Sequence, residues 1–380
     1  MKVYFDNAAT TPLDPEVFEV MKPLMLENFG NPSSIHSHGR LVRSNIEIAR
    51  KKIADLLQTS PPEIFFTSGG TEADNTALRC AVEGLGVRRI ITSKIEHHAV
   101  LHTAEYLAKI HQVEVCYVAT DGDGNILMSD LEALLSSSQQ KTLVSLMHGN
   151  NEIGNLIDLV DVGNLVHKYG ALFHSDTVQT MGHYVHDLST LPVDFAVGSA
   201  HKFHGPKGVG FLYVHHGTKI PPFMLGGAQE RNMRGGTENV YGIVGMAKAL
   251  ELAYRDMSSH KSFIESLKLK MLDSFKSHIP DVHFNGMSAD LENSLYTVLN
   301  VCTAPSNNSE MLLFNLDISG ISISGGSACS SGSNVGSHVL AELDRDPARG
   351  AIRFSFSRLN TVQEVEYAIE KLREITAVHA

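Results

Sequence analysis

No apolar run in this chain reaches the ~18 residues needed to cross a bilayer, and no stretch is compositionally biased. Positive charge is in deficit: 31 Lys and Arg stand against 42 Asp and Glu, a formal net charge of -11. An acidic surface attracts neither nucleic acid nor an anionic membrane, so neither is expected as a partner. Cysteine is scarce, and Cys80, Cys116, Cys302 and Cys329 are widely separated with no CxxC pair. That argues against a disulfide framework or a zinc ribbon and fits a reducing compartment. The opening residues, MKVYFDNAATTP, lack the apolar core of a signal peptide, so the expectation is a soluble, cytoplasmic protein. Only 13 prolines and 19% charged residues leave little room for disorder.

What is present points to a large core. A chain of 380 residues with 43% hydrophobic content suits two domains, or one large and one small. Short apolar runs at 63–67, 89–93, 114–119, 142–147, 171–175, 195–199 and 209–214 are bounded by turn signals. Helical patterns alternate with them at 72–83, 100–110, 129–136 and 160–169. The alternation predicts an α/β fold with an open, mostly parallel sheet and chemistry at the carboxyl ends of its strands. From about residue 259 the pattern changes to that of a smaller α+β domain, ending in a helix that opens at a Thr361-Val-Gln-Glu364 capping box. The expected division is a large domain over 16–258, and a small domain formed by 1–15 and 259–380. The small domain carries a mobile loop at about 325–335. Three thiols, Cys80, Cys116 and Cys302, sit in apolar contexts and are expected to be buried.

The strand ends carry the candidate chemistry. In VDFAVGSAHKFHGPKGVG (193–210), Lys202 follows a buried strand among small residues and histidines. A lysine so placed is a candidate for Schiff-base formation once desolvation lowers its basicity. Asp176 ends another strand, and Ser68-Gly69-Gly70-Thr71 joins a strand to a helix, where backbone N–H groups and the helix dipole favour an anion. Lysine, ring-nitrogen carboxylate and phosphate cradle (Gly70, Thr71, Ser199, His201) together describe a pyridoxal 5'-phosphate site. His97 is a candidate to stack on the cofactor ring or to move protons. Arg353 presents a fork suited to a carboxylate. His98 and His102 have i, i+4 spacing but no further ligand, so no metal is expected. Cys329, in SGGSACSSGS, is the odd thiol out: its small neighbours let it swing, and exposure favours the thiolate.

These segments resemble the pyridoxal-phosphate-dependent cysteine desulfurases of the NifS/IscS type, within the class V aminotransferase superfamily. The resemblance rests on YFDNAATTP, FGNPSSIHSHGR, FTSGGTEADN, IEHHAV, MHGNNEIG, HSDTVQT, SAHKFHGPKG, RGGTENV, SGGSACSSGS and IRFSFSR, in that order. It implies the fold-type I architecture and conversion of L-cysteine to L-alanine, with Cys329 receiving sulfur as a persulfide. By the same resemblance, Lys202 binds the cofactor covalently, His97 stacks on it and Asp176 pairs with its ring nitrogen. Gln179 and Asn151 contact its ring oxygen or the substrate. Gly70, Thr71, Ser199 and His201 hold the phosphate, joined by Thr237 from the second subunit of a homodimer. Arg353 binds the substrate carboxylate, and the sulfur acceptor is a protein such as an iron–sulfur scaffold. Alternatives of the same fold are a selenocysteine lyase and a class V aminotransferase, and a cofactor-free scaffold subunit is the non-enzymatic one. The chain departs from many relatives at Leu225, where they carry histidine, and at Ala228, where they carry glycine. It also ends soon after its last helix, where relatives serving iron–sulfur scaffolds often carry a longer tail.

Overall fold

A computed structural model describes residues 1–304, 311–325, 336–346 and 349–377. Cys329 and the rest of the 325–335 loop, apart from Gly325, lie outside the described residues. The strands are β1 (Val3–Tyr4), β2 (Ile64–Thr67), β3 (Arg89–Thr92), β4 (Glu114–Tyr117), β5 (Thr142–Ser145), β6 (Leu172–Ser175), β7 (Phe195–Ser199), β8 (Gly210–Val214), β9 (His283–Phe284), β10 (Val298–Cys302), β11 (Ile321–Ser322) and β12 (Ala351–Ser355). The helices are α1 (Pro15–Leu26), α2 (Ser37–Leu56), α3 (Gly70–Glu83), α4 (His98–His111), α5 (Met128–Ser136), α6 (Leu159–Lys168), α7 (Val240–Arg255), α8 (Met257–His278), α9 (Leu312–Ile318), α10 (His338–Ala341) and α11 (Val362–Ala377). No described helix is long and apolar enough to cross a membrane.

Seven strands form the main sheet in the order β2-β8-β7-β6-β5-β3-β4. The strands from β7 to β4 pair in parallel, while β8 runs antiparallel to both β7 and β2. Successive side chains feed two separate cores. Phe66, Ile91, Val144, Ala196 and Phe211 pack on one face, and Phe65, Ile90, Leu143, Val197 and Leu212 on the other. A sheet covered on both faces has no polar side to show, so its strands read as unbroken apolar runs. β4 closes the edge and is half exposed, which leaves Cys116 only partly covered instead of buried as its apolar context suggests. Cys80 and Cys302 are buried.

This topology sets the site. Because β2 and β7 both oppose β8, the carboxyl ends of β2, β3, β5, β6 and β7 open on one edge. Parallel neighbours need long crossovers, but the antiparallel β7–β8 pair is joined by a short link. That link begins with a single helical turn, Ala200–Lys202, which holds the lysine at the sheet edge.

The second body is an antiparallel sheet, β12-β10-β9, with α8 and α11 against it. The N-terminal segment joins it: β1 pairs with β11, and Phe5 packs edge-to-face on Phe356 at 5.4 Å. The capping box of α11 forms, since Thr361 Oγ1 accepts from the Glu364 N–H and Glu364 Oε2 accepts from the Thr361 N–H. Val365, Ile369 and Leu372 of that helix are buried. The sequence pattern assigns no element where α7 and β9 lie.

Five histidines outside the cavity described below are largely enclosed. Burial pulls His148 and His174 down to about 3, and His183, His186 and His204 down to about 4. An unfolded chain takes up protons at these groups near pH 6.5 while the native chain refuses them, so the stability they confer is present above about 6.5 and lost as pH falls toward 4. Glu96 opposes this: burial lifts it to about 8, so the native state favours its protonated form and loses stability as pH rises from about 4.5 to 8. Asp74 and Asp176, which burial also raises, act in the same sense as Glu96, but the five histidines outnumber these three acids below pH 6.5. The melting temperature of the cofactor-free protein is expected to fall steeply from pH 6.5 to 4, and a flat profile over that window would contradict it.

Candidate active site

A cavity of about 230 Å³ opens at the shared strand edge. Its lining includes Lys202, Asp176, His97, Gln179, Asn151 and Arg353, together with Gly70, Thr71, Ser199 and His201 at one end. Of the residues singled out from sequence, Thr237 is exposed and does not line this cavity. Cys329 lies outside the described residues.

Lys202 Nζ donates to the carbonyls of Ala8 at 2.6 Å and Ala9 at 3.0 Å. The N-terminal segment thus crosses over the sheet edge and aims the amine into the cavity. Gln179 Nε2 donates to the same Ala8 carbonyl at 3.0 Å. That contribution was not legible in the FDNAATTP stretch, which reads as a run of turn formers.

Asp176 is buried just beyond the end of β6, and its Oδ1 accepts from the Val178 N–H at 2.9 Å. Burial pushes its carboxyl up, while His97, the Val178 N–H and Lys202 pull it back. His97 caps α4: its Nδ1 accepts from the Ala99 N–H at 3.1 Å. A nitrogen that accepts carries no proton, so the ring holds its proton on Nε2. Burial keeps the imidazole below its usual range, opposed by the charge on Asp176.

The phosphate end is a recess built on the start of α3, lined by Gly69, Gly70, Thr71, Ser199, His201 and Lys207. A Cβ on Gly70 would come within 2.7 Å of Val178 Cγ2, so glycine is required for this close approach. Glu72 also faces the recess, but Arg234 neutralises it through two contacts, the shorter of 2.5 Å, and its other bond is from the Ser68 N–H. His201 Nδ1 meets Thr10 Oγ1 at 3.1 Å, and burial takes its ring down to about 4. The recess therefore offers neutral donors, a helix N-terminus and one lysine to an anion.

Arg353, on β12, is 1% exposed. It donates to the Asn151 carbonyl at 2.8 Å and to Asp6 Oδ1 at 2.9 Å, and its buried Nε has no partner. The guanidinium is thus fixed before any ligand arrives. It is a buried fork and not a surface ion pair.

These features fit pyridoxal 5'-phosphate. A buried carboxylate faces the cavity without a full counter-charge of its own, an amine stands within the same walls, and a helix N-terminus lies at the far end. His98 and His102 stack face to face at 4.7 Å, and His338 lies 4.3 Å from His98. Stacked rings do not converge on a point, and among the described residues no group of His, Cys, Asp or Glu gathers as a metal site would.

Comparison with known proteins places the whole chain. Residues 3–368 match the aminotransferase class-V family. The chain is 43% identical over 378 residues to "Cysteine desulfurase IscS" of Dictyoglomus turgidum, covering 98% of this chain and 94% of that one. Its fold superposes on a solved "NIFS-LIKE PROTEIN" with a TM-score of 0.91 at 40% identity, covering both chains fully. A structure named "SspA in complex with cysteine" matches with a TM-score of 0.79 at 31% identity, over 95% of this chain and 100% of that one.

Proposed function

The chain belongs to the class-V aminotransferase family, and from that premise we propose that it is a cysteine desulfurase, converting L-cysteine to L-alanine and receiving the sulfur on Cys329 as a persulfide. The observation that carries this reading is one cavity holding Lys202, Asp176 and a pre-fixed Arg353, an amino-acid site by its chemistry. Pyridoxal 5'-phosphate is its cofactor, and when bound it supplies an electron sink for charge developing at the substrate's α-carbon.

The chain's residues divide the remaining work. Arg353 grips the substrate carboxylate, with the Asp6 and Asn151 contacts setting its plane. Lys202 would hold the cofactor, and its free Nζ would take the substrate's α-proton. With the cofactor bound, Asp176 would hold negative charge toward its ring nitrogen, and His97, with its proton on Nε2, would stack on the ring. Gln179 and Asn151 contact the ring oxygen or the substrate, while Gly70, Thr71, Ser199 and His201 hold the phosphate. Cys329 Sγ, as thiolate, forms the S–S bond as the substrate's C–S bond breaks. The electron pair stays on the carbon, which takes up a proton to become the methyl group of alanine. The persulfide then passes to an acceptor, an iron–sulfur scaffold or another sulfur-receiving protein of the same cytoplasm.

Residues 16–258 form the cofactor-binding domain in this reading, and 1–15 with 259–380 the domain carrying the sulfur-accepting loop. The functional unit is a homodimer in which Thr237 serves the partner's phosphate site; its exposure and its absence from the lining of its own cavity support that. Incubation of the pure protein with L-cysteine is expected to give alanine and, with reductant, an equal amount of sulfide. Without reductant, alkylation and peptide mass analysis should place one extra sulfur on the peptide containing Cys329. Extra sulfur on Cys80, Cys116 or Cys302 instead would overturn the assignment, as would full-rate sulfide release from Cys329→Ser.

A further inference from the structure

Behind Asp176 lies a second buried acid that the reaction described above does not use. Asp74, on α3, lines the cavity and is 1% exposed. Its Oδ1 faces His174 Nε2 at 3.4 Å without hydrogen-bond geometry, and both atoms are buried with no hydrogen-bond partner. The other nitrogen of that ring, Nδ1, lies 2.8 Å from Ser145 Oγ. His174 and Ser145 are fully enclosed.

By distance alone this pair passes for an ion pair. Its surroundings argue otherwise. Separating charge in a fully enclosed pair is costly unless further hydrogen bonds support both ions. Among the described residues no N–H donates to Asp74, whereas Asp176 accepts from Val178 and also faces His97 and Lys202. The third acid, Glu96, accepts from Ser93 Oγ and the Met147 N–H but leaves Oε2 unpartnered. Three acids sit close enough for their charges to oppose one another, and only Asp176 has cationic neighbours. Burial and the charges of Asp176 and Glu96 push Asp74 well up, and burial takes His174 down to about 3. Both directions favour neutral partners.

We propose that Asp74 is a positioning residue held as a neutral acid, donating its proton to His174 Nε2 and so confining the negative charge of this buried cluster to Asp176. The His174 ring then carries its own proton on Nδ1, donated to Ser145 Oγ, which leaves Nε2 free to accept. The role toward the ring nitrogen rests on the cofactor reading above; the protonation state of Asp74 does not.

Infrared spectra of the full-length protein, recorded with and without cofactor at neutral pH, test it together with Asp74→Asn and Glu96→Gln. The carboxylic-acid C=O band assigned to Asp74 should vanish in Asp74→Asn and persist in Glu96→Gln, even without cofactor. The asparagine amide donates to the same nitrogen, so the pH midpoint of the bound chromophore should move by less than about 0.3 unit. Were Asp74 ionised, its neutralisation would remove a negative charge beside Asp176 and drop that midpoint by about one unit or more. An unchanged carboxylic-acid band in Asp74→Asn, or such a drop, overturns the proposal. A band lost as expected in a protein that takes up no cofactor would sustain the protonation state and sink the cofactor reading instead.

Discussion

Lys202→Ala is expected to lower turnover of L-cysteine by at least ~10³-fold, the upper range for losing a positioned proton-transfer group, with the covalent anchor lost as well. No neighbour can substitute. Among the residues lining the cavity, Lys202 is the sole amine, and Arg353 cannot release a proton. His97 already spends its Nδ1 lone pair on the Ala99 N–H. The fold should tolerate the change, because the Ala8 carbonyl keeps its bond from Gln179 Nε2, and the Ala9 carbonyl belongs to a residue lining an open cavity where water can reach it. Cofactor should wash out of the variant on gel filtration, and steady-state alanine production measures the loss. A variant keeping more than a tenth of the wild-type rate would remove Lys202 from its assigned role.

Much of this arrangement was legible before any coordinates, and for one reason. Strands buried on both faces cannot hide their sequence signature, so β3, β5, β6 and β7 are found within a residue or two, and the polar residues just past them fall on one edge. Asp176 and Lys202 are of that kind. Helix α7 is not. It contains Gly242 and Gly245, which pattern reading takes as breakers, yet a Cβ on Gly245 would lie 2.6 Å from Met21 Sδ. The glycine admits the close approach of α1, and tertiary packing overrides the local penalty.

The residues that hold the site in place were invisible for a different reason. Asp74 sits in an ordinary-looking helical stretch, TEADN, and nothing local says that its side faces His174 on a strand 100 residues later. The Ala8 and Ala9 carbonyls have no side chain to betray them; only the path of the N-terminal segment brings them over Lys202. Thr237 is legible as a motif residue, but its proposed role lies across a subunit boundary. Cys329 is the reverse case, carried wholly by its sequence context of glycine and serine.

Asp176→Asn is expected to reduce turnover by about 10²–10³-fold, the range for losing one preorganised charge against a developing one, while leaving the cofactor bound. The substitution is isosteric. Its amide oxygen can keep the 2.9 Å bond from the Val178 N–H, because an N–H can only donate and so must meet the oxygen and not the NH₂. The amide NH₂ is then forced toward the cavity, where a carboxylate oxygen stood. A donor there opposes a protonated ring nitrogen, so the ring gives up its proton and the electron sink weakens. Folding should not suffer, because removing a buried charge relieves the desolvation that pushes this carboxyl up. The melting temperature of the cofactor-free variant is therefore expected to equal or exceed that of the parent, even as alanine production collapses. The contrast with Asp74→Asn is the sharper reading. Both variants replace a buried acid in one cavity with the same amide, yet only the one at Asp176 changes a charge. A loss at Asp176 no larger than that at Asp74 would mean that the negative charge is not confined where the hydrogen bonds favour it.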